Sequence, residues 1–135
     1  MIDADCLIAG TLAPSGAASE LLDLWQDGQF DLVVCPQLIH EVHKSLLHPR
    51  IARKYDIRSD EVKAFTARLS DEGVSIKDPE DPPRVVPNDP TDDYLIALSL
   101  ESRADFLVTR DRHFENVRIK GIPIISPREM LRRLR

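Results

Sequence analysis

The sequence predicts an α/β fold, an αβα sandwich with a central, mainly parallel sheet of about five strands, and three observations lead to it. Short apolar, β-branched runs of strand length alternate with longer segments whose apolar residues recur at helical spacing. Those runs lack a polar face, as strands of a parallel sheet covered on both sides do. The 135 residues suffice for one such domain, spanning 1–135, which buries roughly two thirds of the surface of its unfolded chain.

Each element has its own signal. Met1-Ile2 leads into Asp3, and Cys6-Leu7-Ile8-Ala9 continues apolar, so a short buried strand is expected to end near Asp3. Ala17 to Gln26 places Leu21, Leu22 and Trp25 at helical spacing, and Gly28 stops that helix. Asp31-Leu-Val-Val-Cys35 is the next strand. Pro36 then opens a helix where its missing N–H costs nothing, with Leu38, Ile39, Val42 and Leu46 as its apolar stripe. A further helix runs from about Ser59 to Glu72, with Asp60 and Glu61 favourably placed in its first turn, and Val74-Ser-Ile76 is a candidate strand.

Between Lys77 and Pro90 stand Pro79, Pro82, Pro83, Pro87 and Pro90, too many for regular structure, so an ordered surface connection near a site is expected. Thr91 is positioned to cap a helix that includes Tyr94, Leu95, Leu98 and Ser99. Asp105-Phe-Leu-Val108 and Ile122-Pro-Ile-Ile125 are the remaining strands. Ser126-Pro-Arg-Glu129 is a capping box with proline at the first helical position, and Met130, Leu131 and Leu134 form the inner face of the helix it starts.

No apolar run approaches the ~20 residues needed to cross a bilayer, and no basic segment followed by an apolar one opens the chain. A cytoplasmic protein without a membrane partner is expected. Cys6 and Cys35 stand in apolar, strand-like contexts without metal-ligand spacing, which suits buried free thiols. The net charge of −5 argues against a nucleic-acid partner until its distribution is considered. Asp71 to Asp93 holds eight acids against Lys77 and Arg84, whereas Glu101 to the end holds nine bases against five acids. Acids gathered at one site beside a basic surface suit cations and phosphates together; two solvated faces of opposite sign would give the same count.

In a parallel α/β sheet, sites form beyond the carboxyl ends of the strands. Asp3 and Asp5 fall at the expected end of the first strand, Asp111 follows Val108-Thr-Arg110 at another, and Asp92 and Asp93 fall in a first helical turn. The helix dipole alone accounts for Asp92 and Asp93, and Asp111 suits the cap of a short turn at Arg112-His-Phe114. Asp3 is harder to explain that way, because a carboxylate in an apolar strand is costly without a cation or hydrogen-bond partners. Clustered carboxylates repel unless neutralised, and Mg²⁺ or Mn²⁺ prefers such oxygen ligands. Such a cation acidifies water, polarises a phosphodiester and stabilises the leaving oxygen. Glu41 stands at the edge of its helix's apolar stripe and on spacing alone is a surface glutamate.

These residues resemble a known family, the PIN domains. Ile2-Asp-Ala-Asp-Cys-Leu-Ile8 is similar to their opening motif, Glu41 in Ile39-His-Glu-Val-His43 to their helical acid, and Asp89-Pro-Thr-Asp-Asp-Tyr-Leu-Ile-Ala-Leu98 to their third acidic motif. Val108-Thr-Arg-Asp-Arg-His-Phe114 resembles the fourth, the most specific of the set. The motifs occur in the family's order over nearly the whole chain. The subgroup most resembled is the VapC-like toxins of toxin–antitoxin pairs, which the proline-rich stretch before Asp89 also resembles.

The resemblance implies a PIN-like αβα sandwich and a Mg²⁺- or Mn²⁺-dependent ribonuclease that leaves 5′-phosphate and 3′-hydroxyl ends. It also implies a small antitoxin partner and a homodimer. Asp3, Glu41, Asp93 and Asp111 would be its catalytic, metal-holding acids, with Asp93 matching the third acid better than Asp92. Asp5, Thr109 and Asp92 would orient those ligands, and Arg110 and Arg112 would meet substrate phosphates. Tyr94 would stack on a base or pack at its helix surface, while His40, His43, His48 and His113 form no metal set. Asp5 departs from the family, which more often has asparagine, serine or threonine there, and the segment before Asp3 is shorter than usual.

Two alternatives stay open. Asp3-Ala-Asp5 also resembles the nucleophile and acid pair of haloacid-dehalogenase-like phosphatases. There a threonine or serine motif should precede the double aspartate, yet Asp92-Asp93 precedes Thr109, and no lysine lies between them. The other is a PIN-like module that binds RNA or protein without cutting.

Overall fold

A computed structural model describes residues 1–13, 15–80 and 93–134. The elements in chain order are α1 (Ala4–Leu12), α2 (Ala17–Gln26), β1 (Val33–Val34), α3 (Pro36–Leu47), α4 (Pro49–Tyr55), α5 (Ser59–Glu72) and β2 (Val74–Ser75). Then follow α6 (Asp93–Glu101), β3 (Leu107–Val108), a 3-10 turn (Arg112–Phe114), β4 (Ile124–Ile125) and α7 (Pro127–Leu134). The fold class is α/β; α3 and α7 open on their expected prolines, α2 ends before Gly28, and α5 begins at Ser59 with Asp60 and Glu61 in its first turn. Gly28 takes φ +75° just past α2, and Ser126 Oγ accepts from the Glu129 N–H at 3.1 Å, closing one half of the predicted box.

The sheet differs from the prediction. Among the described residues, instead of about five strands in one sheet, two parallel pairs form, β1 with β2 (Val33 opposite Val74) and β3 with β4 (Leu107 opposite Ile124). The N-terminal segment lies along the other edge of β3 through a parallel bridge between Ile2 and Val108. The bridge is closed by the Val108 N–H on Met1 O at 2.8 Å and the Asp3 N–H on Val108 O at 3.0 Å. No bridge joins that group to β1 among the described residues. The extended runs are cut short because helices begin at once, α1 after Asp3 and α3 after Cys35.

Two helices were not foreseen. Cys6, expected in a strand-like run, lies in α1 with Leu7 and Gly10 on its buried side. A short apolar run does not distinguish a buried strand from a buried helix; the overlooked signal was Asp3, an N-cap whose side chain accepts from the Cys6 N–H at 2.9 Å. In α4, proline stands at the first turn and His48 Nδ1 accepts from the Arg50 N–H at 3.2 Å. The proline-rich connection and the Thr91 cap lie, beyond Glu80, outside the described residues.

One continuous apolar core runs from Met1 to Leu131, with Leu7, Leu21, Val34, Leu38, Leu69, Leu98 and Leu107 fully buried. Around it α1 packs on α2 and α3, α2 on α7, and α3 on α5. Cys6 and Cys35 are buried free thiols, as expected, and burial pushes the Cys35 thiol up to about 11. Among the described residues no helix is long and apolar enough to cross a membrane.

Candidate active site

The parallel bridge between Ile2 and Val108 sets the register that builds the site. With those residues opposite, Asp3 and Thr109 leave adjacent strand ends level with each other, although 106 positions separate them. Thr109 donates its hydroxyl to Asp3 Oδ2, and Thr109 Oγ1 accepts from the Asp111 N–H at 3.0 Å. Asp3 Oδ1 takes the Cys6 N–H, so the carboxylate is held on both oxygens. Thr109 thus bonds to the Asp3 carboxylate and to the backbone of Asp111.

Asp3 is 4% exposed. Burial drives its carboxyl pKa above the usual carboxylate range, against the bonds from Thr109 and Cys6 that lower it, and Asp5 adds a smaller push upward. Asp5 is itself exposed, in the first turn of α1 rather than at a strand end. Asp111 is half-buried and caps the 3-10 turn: its Oδ1 accepts from the His113 N–H at 2.9 Å and lies 3.3 Å from His113 Nδ1.

Asp93 opens α6 and is 1% exposed, whereas Asp92 lies outside the described residues. Glu41 is half-buried on α3, and the hydroxyl of Tyr94 donates to its Oε2 at 2.9 Å. That bond corrects the expectation for Tyr94: at 2% exposure it neither packs at the surface nor reaches a base. It ties Glu41 to the residue next to Asp93, and nothing in the local sequence pattern announces it.

Two cavities meet at Asp5 and Ile8. One, of about 1000 Å³, is lined by Asp5, Arg110, Asp111, Arg112 and His113 together with Tyr55 of α4. The other, of about 520 Å³, is lined by Asp5, Glu41, Lys44, Ser45, His48 and Ile51. Asp5 is therefore the hinge between the Asp111 side and the Glu41 side. Arg110 and Arg112 are exposed on the rim of the first cavity, in reach of an anion that enters it.

Taken together, Asp3 and Asp111 are joined directly through Thr109, Asp5 shares one cavity with Asp111 and the other with Glu41, and Glu41 bonds to the neighbour of Asp93. Yet no group of three or more His, Cys, Asp or Glu side chains close enough to hold a metal ion occurs among the described residues. The donor chemistry suits a hard cation, being all carboxylate, and the burial of Asp3 favours one, because an ionised buried carboxylate is costly without a counter-charge.

Against known families, the model for the PIN domain matches residues 1–113, which takes in every one of these acids. Neither the curated proteins nor the solved structures compared with the chain give a match.

Proposed function

Because this chain belongs to the PIN-domain family, whose members share an αβα fold and are typically metal-dependent nucleases, we propose that it is a divalent-metal-dependent ribonuclease acting through one domain over residues 1–135. The observation that carries the reading is the Asp3–Thr109–Asp111 link, which draws two acids from distant motifs to neighbouring strand ends. The VapC-like resemblance, which the proline-rich stretch before Asp89 shares, supports a toxin of a toxin–antitoxin pair, cytoplasmic, homodimeric and neutralised by a small antitoxin protein.

In this reading Asp3, Asp93 and Asp111 hold Mg²⁺ or Mn²⁺, with Glu41 completing that site or a second one. The cation supplies Lewis-acid polarisation of the phosphodiester and a water of lowered pKa. The chain's own residues do the positioning. Thr109 and the Cys6 N–H fix the Asp3 carboxylate and Tyr94 fixes Glu41, and by the resemblance Asp92 and Asp5 would orient the set. Arg110 and Arg112 meet substrate phosphates, offsetting the repulsion between carboxylates and backbone.

One observation favours a second reading, a PIN-like module that binds RNA or protein without cutting: the acids form no ready group of three among the described residues. A single assay separates the two. Incubated with mixed structured and unstructured RNA and Mn²⁺, the wild type should release fragments with 5′-phosphate and 3′-hydroxyl ends, and Asp111→Asn should release none. Intact RNA under all these conditions would establish the module. The phosphatase alternative loses its footing with the family match.

A further inference from the structure

We propose that helix α4 is the single-strand binding face of this site and that Tyr55 is the platform on which an unpaired RNA base stacks. The inference rests on the ribonuclease reading and deepens it, since neither α4 nor Tyr55 belongs to any of the acidic motifs.

Position comes first. Ile51 and Tyr55 are four residues apart and so lie on one face of α4. Ile51 lines the cavity shared by Asp5 and Glu41, and Tyr55 lines the one shared by Asp5 and Asp111. The seven-residue helix, roughly 10 Å long, therefore runs beside both halves of the acidic groove. A strand lying along it passes Glu41, Asp5 and Asp111 in turn.

Charge points the same way. From 42 to 55 the chain carries Lys44, Arg50, Arg53 and Lys54 and no acid, in a protein of net charge −5. Arg50, Arg53 and Lys54 are exposed and form no ion pair with a described residue. Lys44 and His48 line the Glu41 end of the groove, and Arg110, Arg112 and His113 the Asp111 end. Cations thus flank the acids at both ends, as tracking of a phosphodiester backbone past a cation site requires. The helix dipole accounts for Arg53 and Lys54 in the last turn of α4 and for Lys44 in the last turn of α3, but not for Arg50.

The aromatic ring supplies the independent observation. Tyr55 is 42% exposed, and among the described residues it is the exposed large apolar side chain that lines the acidic groove. Lys54 Nζ sits 5.4 Å from its ring centre and covers one face. A ring held by a cation on one face, at the edge of a cationic groove, suits stacking on a base from the other. Because duplex RNA keeps its bases stacked internally, the platform selects single strands, loops or ends.

The test uses the full chain and a short RNA carrying 2-aminopurine, single-stranded or annealed, with Ca²⁺ in place of Mg²⁺ and the RNA checked intact on a gel. Ca²⁺ neutralises carboxylates without the strict octahedral geometry of Mg²⁺. Wild type should quench the single strand, Tyr55→Ala should bind roughly five- to hundredfold more weakly without quenching, and Tyr55→Phe should behave as wild type. The annealed RNA should be indifferent to Tyr55. With Mn²⁺, Tyr55→Ala should raise KM and spare kcat.

Single-strand binding by Tyr55→Ala equal to wild type, no RNA binding by wild type, or the same Tyr55 dependence on duplex would each overturn the inference. Cleavage indifferent to Tyr55→Ala sinks the platform and leaves the nuclease. Tyr55-dependent binding with no cleavage in Mn²⁺ leaves the platform and sinks the nuclease.

Discussion

Replacing Thr109 by valine removes one hydroxyl while keeping the shape of the side chain, and the consequence can be worked from its bonds. The hydroxyl donates to Asp3 Oδ2 and accepts from the Asp111 N–H. Asp3 is 4% exposed, so water does not replace the lost donor, and a hydrogen bond to a charged group is worth about 1.5–3 kcal/mol. Asp111 is half-buried; water can reach its N–H, and that loss adds at most about 1 kcal/mol. The added methyl sits against a carboxylate and returns less than about 1 kcal/mol.

The net expectation for Thr109→Val is a loss of about 2–3 kcal/mol at neutral pH, read as a lower urea midpoint at unchanged slope. The loss should shrink in acid. The Thr109 bond holds the Asp3 pKa down against burial, so removing it raises that pKa further, and wild type and variant differ most where Asp3 is ionised. A change below about 0.5 kcal/mol at neutral pH, or one of equal size in acid, would refute the claim that Thr109 clamps an ionised Asp3.

Three further outcomes follow from the same geometry. Asp3→Asn should flatten the pH dependence of stability of the metal-free protein. Because the folded pKa of Asp3 lies above the unfolded value near 3.8, the folded state binds the extra proton and stability falls as pH rises through that window. Urea midpoints of the variant across pH should lack that fall, and a variant that keeps the fall would contradict it. Gly10→Ala should destabilise by about 1–3 kcal/mol despite alanine's better helix propensity, because the new methyl would meet Leu22 Cδ1 at 2.7 Å and Ala18 O at 2.8 Å where α1 crosses α2. Equal or higher thermal stability would show that the two helices part freely. Cys6 and Cys35 are buried with thiol pKa values pushed up by desolvation, so a disulfide reagent at neutral pH should titrate both only once denaturant is added; rapid reaction of the native protein would sink that expectation.

Much of this molecule is legible locally. Apolar spacing at Leu21, Leu22 and Trp25, proline at Pro36 and Pro127, and the Ser126 box act within a few residues, and the helices they announce form there. The candidate acids were equally visible, since aspartates beside apolar runs stand out against the cost of burying charge. Other features resisted because the same local pattern serves two structures. Cys6-Leu7-Ile8-Ala9 is apolar enough for a strand or a buried helix, and only the Asp3 cap, working on the Cys6 N–H, decides for the helix. The sheet of about five strands became two short parallel pairs because helices α1 and α3 take over the chain before the ladders lengthen.

The sequence by itself determined which residues carry charge, where helices α2, α3, α5 and α7 begin, and which motifs match a family. Tertiary structure alone decided that Asp3 meets Thr109, that Tyr94 holds Glu41 and that Tyr55 borders the groove of Asp111. The physical reason is distance along the chain. Caps and periodicity are settled by neighbours within a turn or two, whereas the meeting of Asp3 with Thr109 follows from the register of a parallel bridge, and that register is set by how the whole core packs.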